Sequence, residues 1–184
     1  MINLLFDSKT FEIRNNVTEF TIGEFETLSA IMNDDEKNYI EKWSDIFQFL
    51  GVPEDVVDNF DTFDFIDLIK QFNFLGDEEF KMKQTIVLND IEYHAFDEEF
   101  KLTVKEMRLI EDFINKNSKR YLGDILAVIY KRSDTDKTIN FDKSHLHFKA
   151  ELIRKEIMAD VAMPLMSYLS KKLIKDYNLL TNDN

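Results

Sequence analysis

Five aspartates recur at every third position, Asp55, Asp58, Asp61, Asp64 and Asp67, and they are the most conspicuous carboxylate group able to hold a cation or move a proton. A period of three drifts around a helix, whereas a calcium loop alternates its ligands and places glycine at the sharp turn. The spacing instead predicts a helix cap at Asp61, a first-turn charge at Asp64 that suits the helix dipole, and solvated carboxylates at the other three. Asp134-Thr135-Asp136-Lys137 begins as a calcium loop does, but it lacks the glycine and has His145 where the bidentate Glu belongs. His145 and His147 fall at an expected helix start, where residues two apart diverge, and His94 is the only other histidine, so a three-ligand zinc site is not supported. There is no Gly-x-Ser-x-Gly elbow, phosphate loop or His-Glu-x-x-His pair, and the absence of cysteine removes thiolate ligands, thiol nucleophiles and disulfides. These residues predict no catalytic, metal or cofactor site. A small metal-dependent enzyme or regulator built on the Asp-rich segment is the alternative from a different class.

The surrounding chain must supply long regular elements, because 184 residues contain only four Gly and two Pro beside seventeen Phe. The opening, Met1 to Asp7, carries no basic leader, and the longest apolar run, Ile125 to Tyr130, is far too short to cross a bilayer, so a soluble protein in a reducing compartment is expected. A net charge of −13 argues against binding a phosphate backbone, which Lys and Arg drive by displacing counterions. The charge is also uneven. Residues 1–80 hold nineteen Asp/Glu and five Lys/Arg, against seventeen and eighteen in residues 81–184. Such acidity can simply keep a Phe-rich chain in solution, or it can direct head-to-tail association with a Lys-rich C-terminal helix of the next copy.

Sliding the chain on itself by 82 residues brings its element signals into phase. Leu4-Leu5-Phe6-Asp7-Ser8 falls on Ile86-Val87-Leu88-Asn89-Asp90, an apolar strand running into a polar turn, and Phe11 falls on Tyr93 in the return strand. Thr21-Ile22-Gly23-Glu24-Phe25 falls on Thr103-Val104-Lys105-Glu106-Met107, and each Thr-x-x-Glu reads as a capping box that opens a helix. Phe25, Leu28, Ile31 and Met32 then match Met107, Ile110, Phe113 and Ile114 on one apolar face, and Tyr39, Ile40, Trp43, Ile46 and Phe47 match Tyr121, Leu122, Ile125, Val128 and Ile129 in a second helix. The expected fold is therefore α+β and mainly helical. It has two β-hairpin plus helix-pair units, an acidic one in residues 1–80 and a second in 81–184, packed as one body.

Beyond the repeat the halves diverge. Pro53 suits the first position of a short helix through Phe60, and Asp61 caps another to about Phe72. In the second half, Asp142 or Ser144 starts a helix carrying Phe148, Leu152, Ile153, Ile157 and Val161, and Pro164 kinks or ends it before an amphipathic continuation to Tyr177. Trp43, Phe47 and Leu50 read as core, with Phe49 on a neighbouring face. Phe65, Phe72 and Phe74 lie among acids in a segment apolar on more than one face. With Lys171 and Lys172 they form the expected protein interface.

Thr21 to Phe25, Leu50-Gly51-Val52-Pro53, Leu126 to Arg132 and Ala162-Met163-Pro164-Leu165, set in this layout, resemble small proteins of tailed bacteriophages. The similarity is to tail-assembly-chaperone-like families and to structural proteins of crAss-like phages. It implies a non-enzymatic virion or assembly protein that docks on other phage proteins in the tail or head-tail region and assembles in the host cytoplasm, and the uneven charge adds the expectation of a homo-oligomer, a ring or stack. Charge and the short apolar runs point to contact with neither nucleic acid nor membrane, and the resemblance leaves open whether the chain stays in the particle or is an assembly chaperone that leaves it.

Overall fold

The computed structural model describes residues 1–6, 9–72, 80–81, 83–95, 102–116, 120–132 and 143–166. The chain is α+β and mainly helical, with two small antiparallel sheets. Strands β1 (Ile2–Phe6) and β2 (Lys9–Ile13) pair with Leu4 opposite Phe11, and alternation turns Leu4 inward while Leu5 stays exposed. Helices α1 (Ile22–Met32), α2 (Tyr39–Phe49), α3 (Glu54–Asp58) and α4 (Thr62–Lys70) follow. The second unit has β3 (Thr85–Leu88), β4 (Ile91–Ala95), α5 (Val104–Asn115), α6 (Leu122–Ile129), β5 (Tyr130–Arg132) and α7 (Lys143–Glu156).

An offset of 82 carries β2 onto β4 residue for residue and brings β1, α1 and α2 to within about a residue or two of β3, α5 and α6. Both expected capping boxes form. Thr21 and Thr103 accept from the amides of Glu24 and Glu106, whose carboxylates return to the two Thr amides. Each Glu also meets a cation. Arg14 grips Glu24 through two nitrogens and holds its carboxyl below the usual range against the effect of burial. Burial pushes the Glu106 carboxyl up, but the Lys131 ammonium and Thr103 outweigh it and hold it low. In the second hairpin Asn89 and Asp90 take φ of 49° and 62°, the left-handed pair that a two-residue turn matched to strand twist requires.

The units part at the end of their second helices. Gly51, at φ +94°, closes α2 in a Schellman motif, with Gly51 N–H donating to Gln48 O and Val52 N–H to Phe47 O. The position 82 residues on is Ser133, and there the chain has already left α6 at Tyr130 as an extended strand. That strand, β5, pairs with β4, so among the described residues the second hairpin grows to three strands while the first keeps two.

Two apolar clusters form the interior. One gathers Leu4, Ile13, Phe20, Leu28, Trp43, Phe47 and the inner faces of α3 and α4; the other gathers the inner faces of β3 and β4, Ile110, the apolar residues of α6 and the inner face of α7. Helix α1 serves both, with Leu28 in the first, Ile22 in the second and Phe25 packed against each. The C-terminal helix breaks earlier than Pro164: α7 stops at Glu156. Residues 157–159 then turn to pair with the first unit, Ile22 N–H donating to Ile157 O and Ala159 N–H to Phe20 O, both at 2.8 Å. A backbone partner across the units thus replaces helix continuation, and Pro164 lies in the first turn of a new helical stretch, where its missing N–H costs little. Pro53 likewise precedes α3 by one residue instead of beginning it. Phe148, expected on the inner face of α7, points to solvent, whereas Lys149 and Arg154 point in.

Candidate docking surface

The first unit's aromatic core fixes one wall of an open cleft. Helix α2, capped by Asn38 and Glu41 in a further reciprocal box, turns Trp43, Ile46 and Phe47 inward. Asp61 caps α4 as expected, accepting from Phe63 N–H at 2.8 Å, and α4 turns Phe65, Leu68 and Ile69 inward. The rings lock these helices together. Phe47 lies 5.3 Å from both Phe65 and Phe72, and Phe72 lies 5.3 Å from Trp43. Between α2 and the α3–α4 corner remains a cleft of about 360 Å3 lined by Ile40, Ser44, Val57, Asp58, Phe60, Thr62 and Phe65.

Its floor is apolar and its surroundings are acidic. Residues 34–67 contain eleven Asp/Glu and two Lys, and one of those, Lys37, is engaged by Asp45, which raises its pKa. Asp67 pairs with Lys70 at 2.8 Å, while Glu54, Asp55, Asp58, Asp61 and Asp64 all stand exposed. The Asp series therefore spreads over caps, pairs and solvent. Among the described residues no three His, Asp or Glu side chains converge as a metal site would require. His145 and His147 are exposed on α7, and His94 sits in β4 beside Thr85, its Nδ1 3.2 Å from the hydroxyl.

Of the expected interface residues, Phe65 is a core ring, only 5% exposed, that reaches the cleft as part of its wall. The same ring also seals the α2–α4 contact, lying 5.3 Å from Phe47. Phe72 is half-buried against Trp43 and Phe47, while Phe74, Lys171 and Lys172 lie outside the described residues. Other apolar side chains of this region stand exposed: Phe63, absent from the expected interface, is 79% exposed, and Tyr39 and Ile40, matched by the repeat to residues of the second helix, are 58% and 44% exposed. Phe63 was legible, since it lies roughly 160° around α4 from Phe65 and cannot share its inward face.

A second cluster of charge lies between the units. Arg154 of α7 donates through Nε to Glu26 of α1 at 2.8 Å and through Nη1 to Glu151 at 2.8 Å, and its Nη2 reaches Asp124 and the carbonyl of Arg120. Burial alone would lower the Arg154 pKa, but Glu26 and Asp124 raise it. Glu26 also accepts from Gly123 N–H at 3.0 Å, filling the start of α6, which has no side-chain cap of its own. Every nitrogen of the guanidinium is satisfied by these partners, so the cluster is a structural lock rather than an anion site. Nearby, burial and the neighbouring Lys131 depress the Lys149 pKa to about 8, and its ammonium donates to Tyr130 O at 2.8 Å, over the Tyr93 ring.

No helix among the described residues is long and apolar enough to cross a membrane. Comparison with known families, characterised proteins and solved structures finds no match to this chain.

Proposed function

We propose that the protein is a non-enzymatic component or assembly factor of a tailed-bacteriophage particle that works by docking protein subunits in the tail or head-tail region. The observation carrying this reading is the acid-rimmed cleft lined by Ile40, with Tyr39 and Phe63 exposed on α2 and α4, the helices that contribute to its lining, a surface that offers aromatic and aliphatic anchors to a partner of opposite charge. The resemblance of the helical segments to small phage assembly proteins supports the same class.

Quantitative mass spectrometry of purified particles and of assembly intermediates tests it. A fixed ratio to the capsid protein in finished particles supports a virion component. Recovery with tail or portal proteins in intermediates, but not in particles, supports a chaperone. Absence from both removes the proposal.

A further inference from the structure

The second unit displays what a repeat helix of this kind does when another helix covers it. Helix α7 seats on α6, with Arg154 over Gly123, Leu126 and Ala127 buried, and Lys149 on the carbonyl of Tyr130. Two cations thus face α6 from α7. The residues 82 positions earlier are Glu41, Ser44, Asp45 and Gln48, a polar face of α2 that carries two carboxylates and borders the cleft. The apolar pair differs too, with Ile40 44% exposed where Leu122 is 4% exposed. The equivalent face of the first unit is therefore acidic and borders an open cleft, where the second unit's is apolar and covered.

We infer that this face is the seat of the Lys-rich segment 168–177 of a second copy, its apolar residues entering the cleft of Ile40, Val57 and Phe60 and its lysines facing the acids of α2 and Asp58. The segment Tyr168 to Tyr177 carries Lys171, Lys172 and Lys175 against one Asp, and on a helical wheel these lysines group apart from Leu169, Leu173 and Ile174. Its charge and its apolar arc match the seat. Because donor and seat occur on the same chain in halves of unequal charge, the contact is head-to-tail. Repetition then gives a ring or an open stack according to whether the rotation closes. The inference rests on reading the protein as a docking subunit.

Sedimentation velocity of the full chain at low and high salt tests the contact, together with two variants whose folding is checked by circular dichroism. Wild type is expected to self-associate at low salt and to dissociate as salt rises. Ser44→Lys with Asp58→Lys reverses the seat, and Lys171→Glu with Lys172→Glu reverses the donor. Each alone should weaken association on the order of tenfold, and an equimolar mixture should recover a mixed pair. Zero-length carbodiimide coupling of nitrogen-14 and nitrogen-15 protein should join Lys171 or Lys172 to Asp58-containing peptides of mixed isotope. The donor variant leaves every residue of the seat unchanged, so it still decides the matter should the seat variant misfold. A strictly monomeric wild type, association indifferent to the donor variant, or couplings confined to one isotope each overturn the inference. A monomer found at fixed ratio in particles removes this contact and leaves the docking proposal standing; self-association without particle or intermediate partners does the reverse.

Discussion

Helices α2 and α6 occupy equivalent places in the two units, and they begin in opposite ways. The start of α2 is self-sufficient, closed by Asn38 and Glu41 within one turn. The start of α6 depends on a distant residue, Glu26, whose carboxylate crosses from α1 and is held there by Arg154. The same backbone need is met locally in one copy and from the other unit in the second. The repeat therefore keeps the scaffold alike while the places where the units meet differ, with α6 buried except at Asp124 and α2 left with an outward acidic face.

The sharpest way to break this contrast is to remove Glu26. Glu26→Ala leaves the Nε of Arg154 and the Gly123 amide of α6 without their partner in the interior, and chemical denaturation should show a loss of about 3–5 kcal/mol. Asn38→Ala, which removes the local cap of α2, should cost only about 1 kcal/mol. A denaturation midpoint equally sensitive to both would end the distinction between a local and a shared cap.

Gly123→Ala comes next. A Cβ there would lie 2.7 Å from Cγ of Arg154, so overpacking should cost about 1–3 kcal/mol and disturb the lock without removing a charge. Gly23 serves the same helix from the other side, since a Cβ there would meet the Arg154 carbonyl at 3.1 Å. Two of the four glycines in the chain thus make room for one arginine.

Lys149 gives a pH test of the α6–α7 contact. Its folded pKa, about 8, lies below the unfolded value near 10.5, so between those limits the unfolded chain holds more protons and this group's contribution to stability rises with pH. Lys149→Met should therefore gain about 1–2 kcal/mol over wild type at pH 7, and the thermal-melting difference should shrink as pH climbs from 8 towards 10. A difference that grew over that range would contradict the buried-ammonium picture. The smallest stability effect belongs to Phe63→Ser, within about 0.5 kcal/mol, because the ring is exposed.

The elements of the repeat were readable because each rests on local chemistry. A Thr-x-x-Glu box, a polar turn pair and a three-four apolar spacing need no distant partner, and Thr21, Thr103, Asn89 and Asp90 all appear in those roles. The Asn38/Glu41 box is the same signal with a different cap residue. The shared lock was not readable from Glu26 or Arg154 alone, since each resembles a solvated charge on an amphipathic helix until another unit's glycine and amide are placed beside it. The early end of α7 was hidden for a similar reason. Its cause lies in the backbone of Phe20 and Ile22, and Pro164 was the only breaker in view. For the candidate surface, the acid-rich segment and its aromatics were evident, but which rings were spent on the core depended on packing. Phe65 was spent and Phe63 was not.

The lock between α1 and α7 also bears on how the chain folds. The Glu26–Arg154 contact spans 128 residues and the Glu26–Gly123 contact 97, so neither can form until a very large loop has closed. Hairpins, caps and helix pairs can assemble early from neighbours in sequence, but the seam joining them must wait for α7 to arrive. Until then α6 is without its cap, and its apolar sides are open to any other chain that reaches them first. The residues that unite the finished molecule are thus also those whose delay exposes it to exchange of α7 between copies.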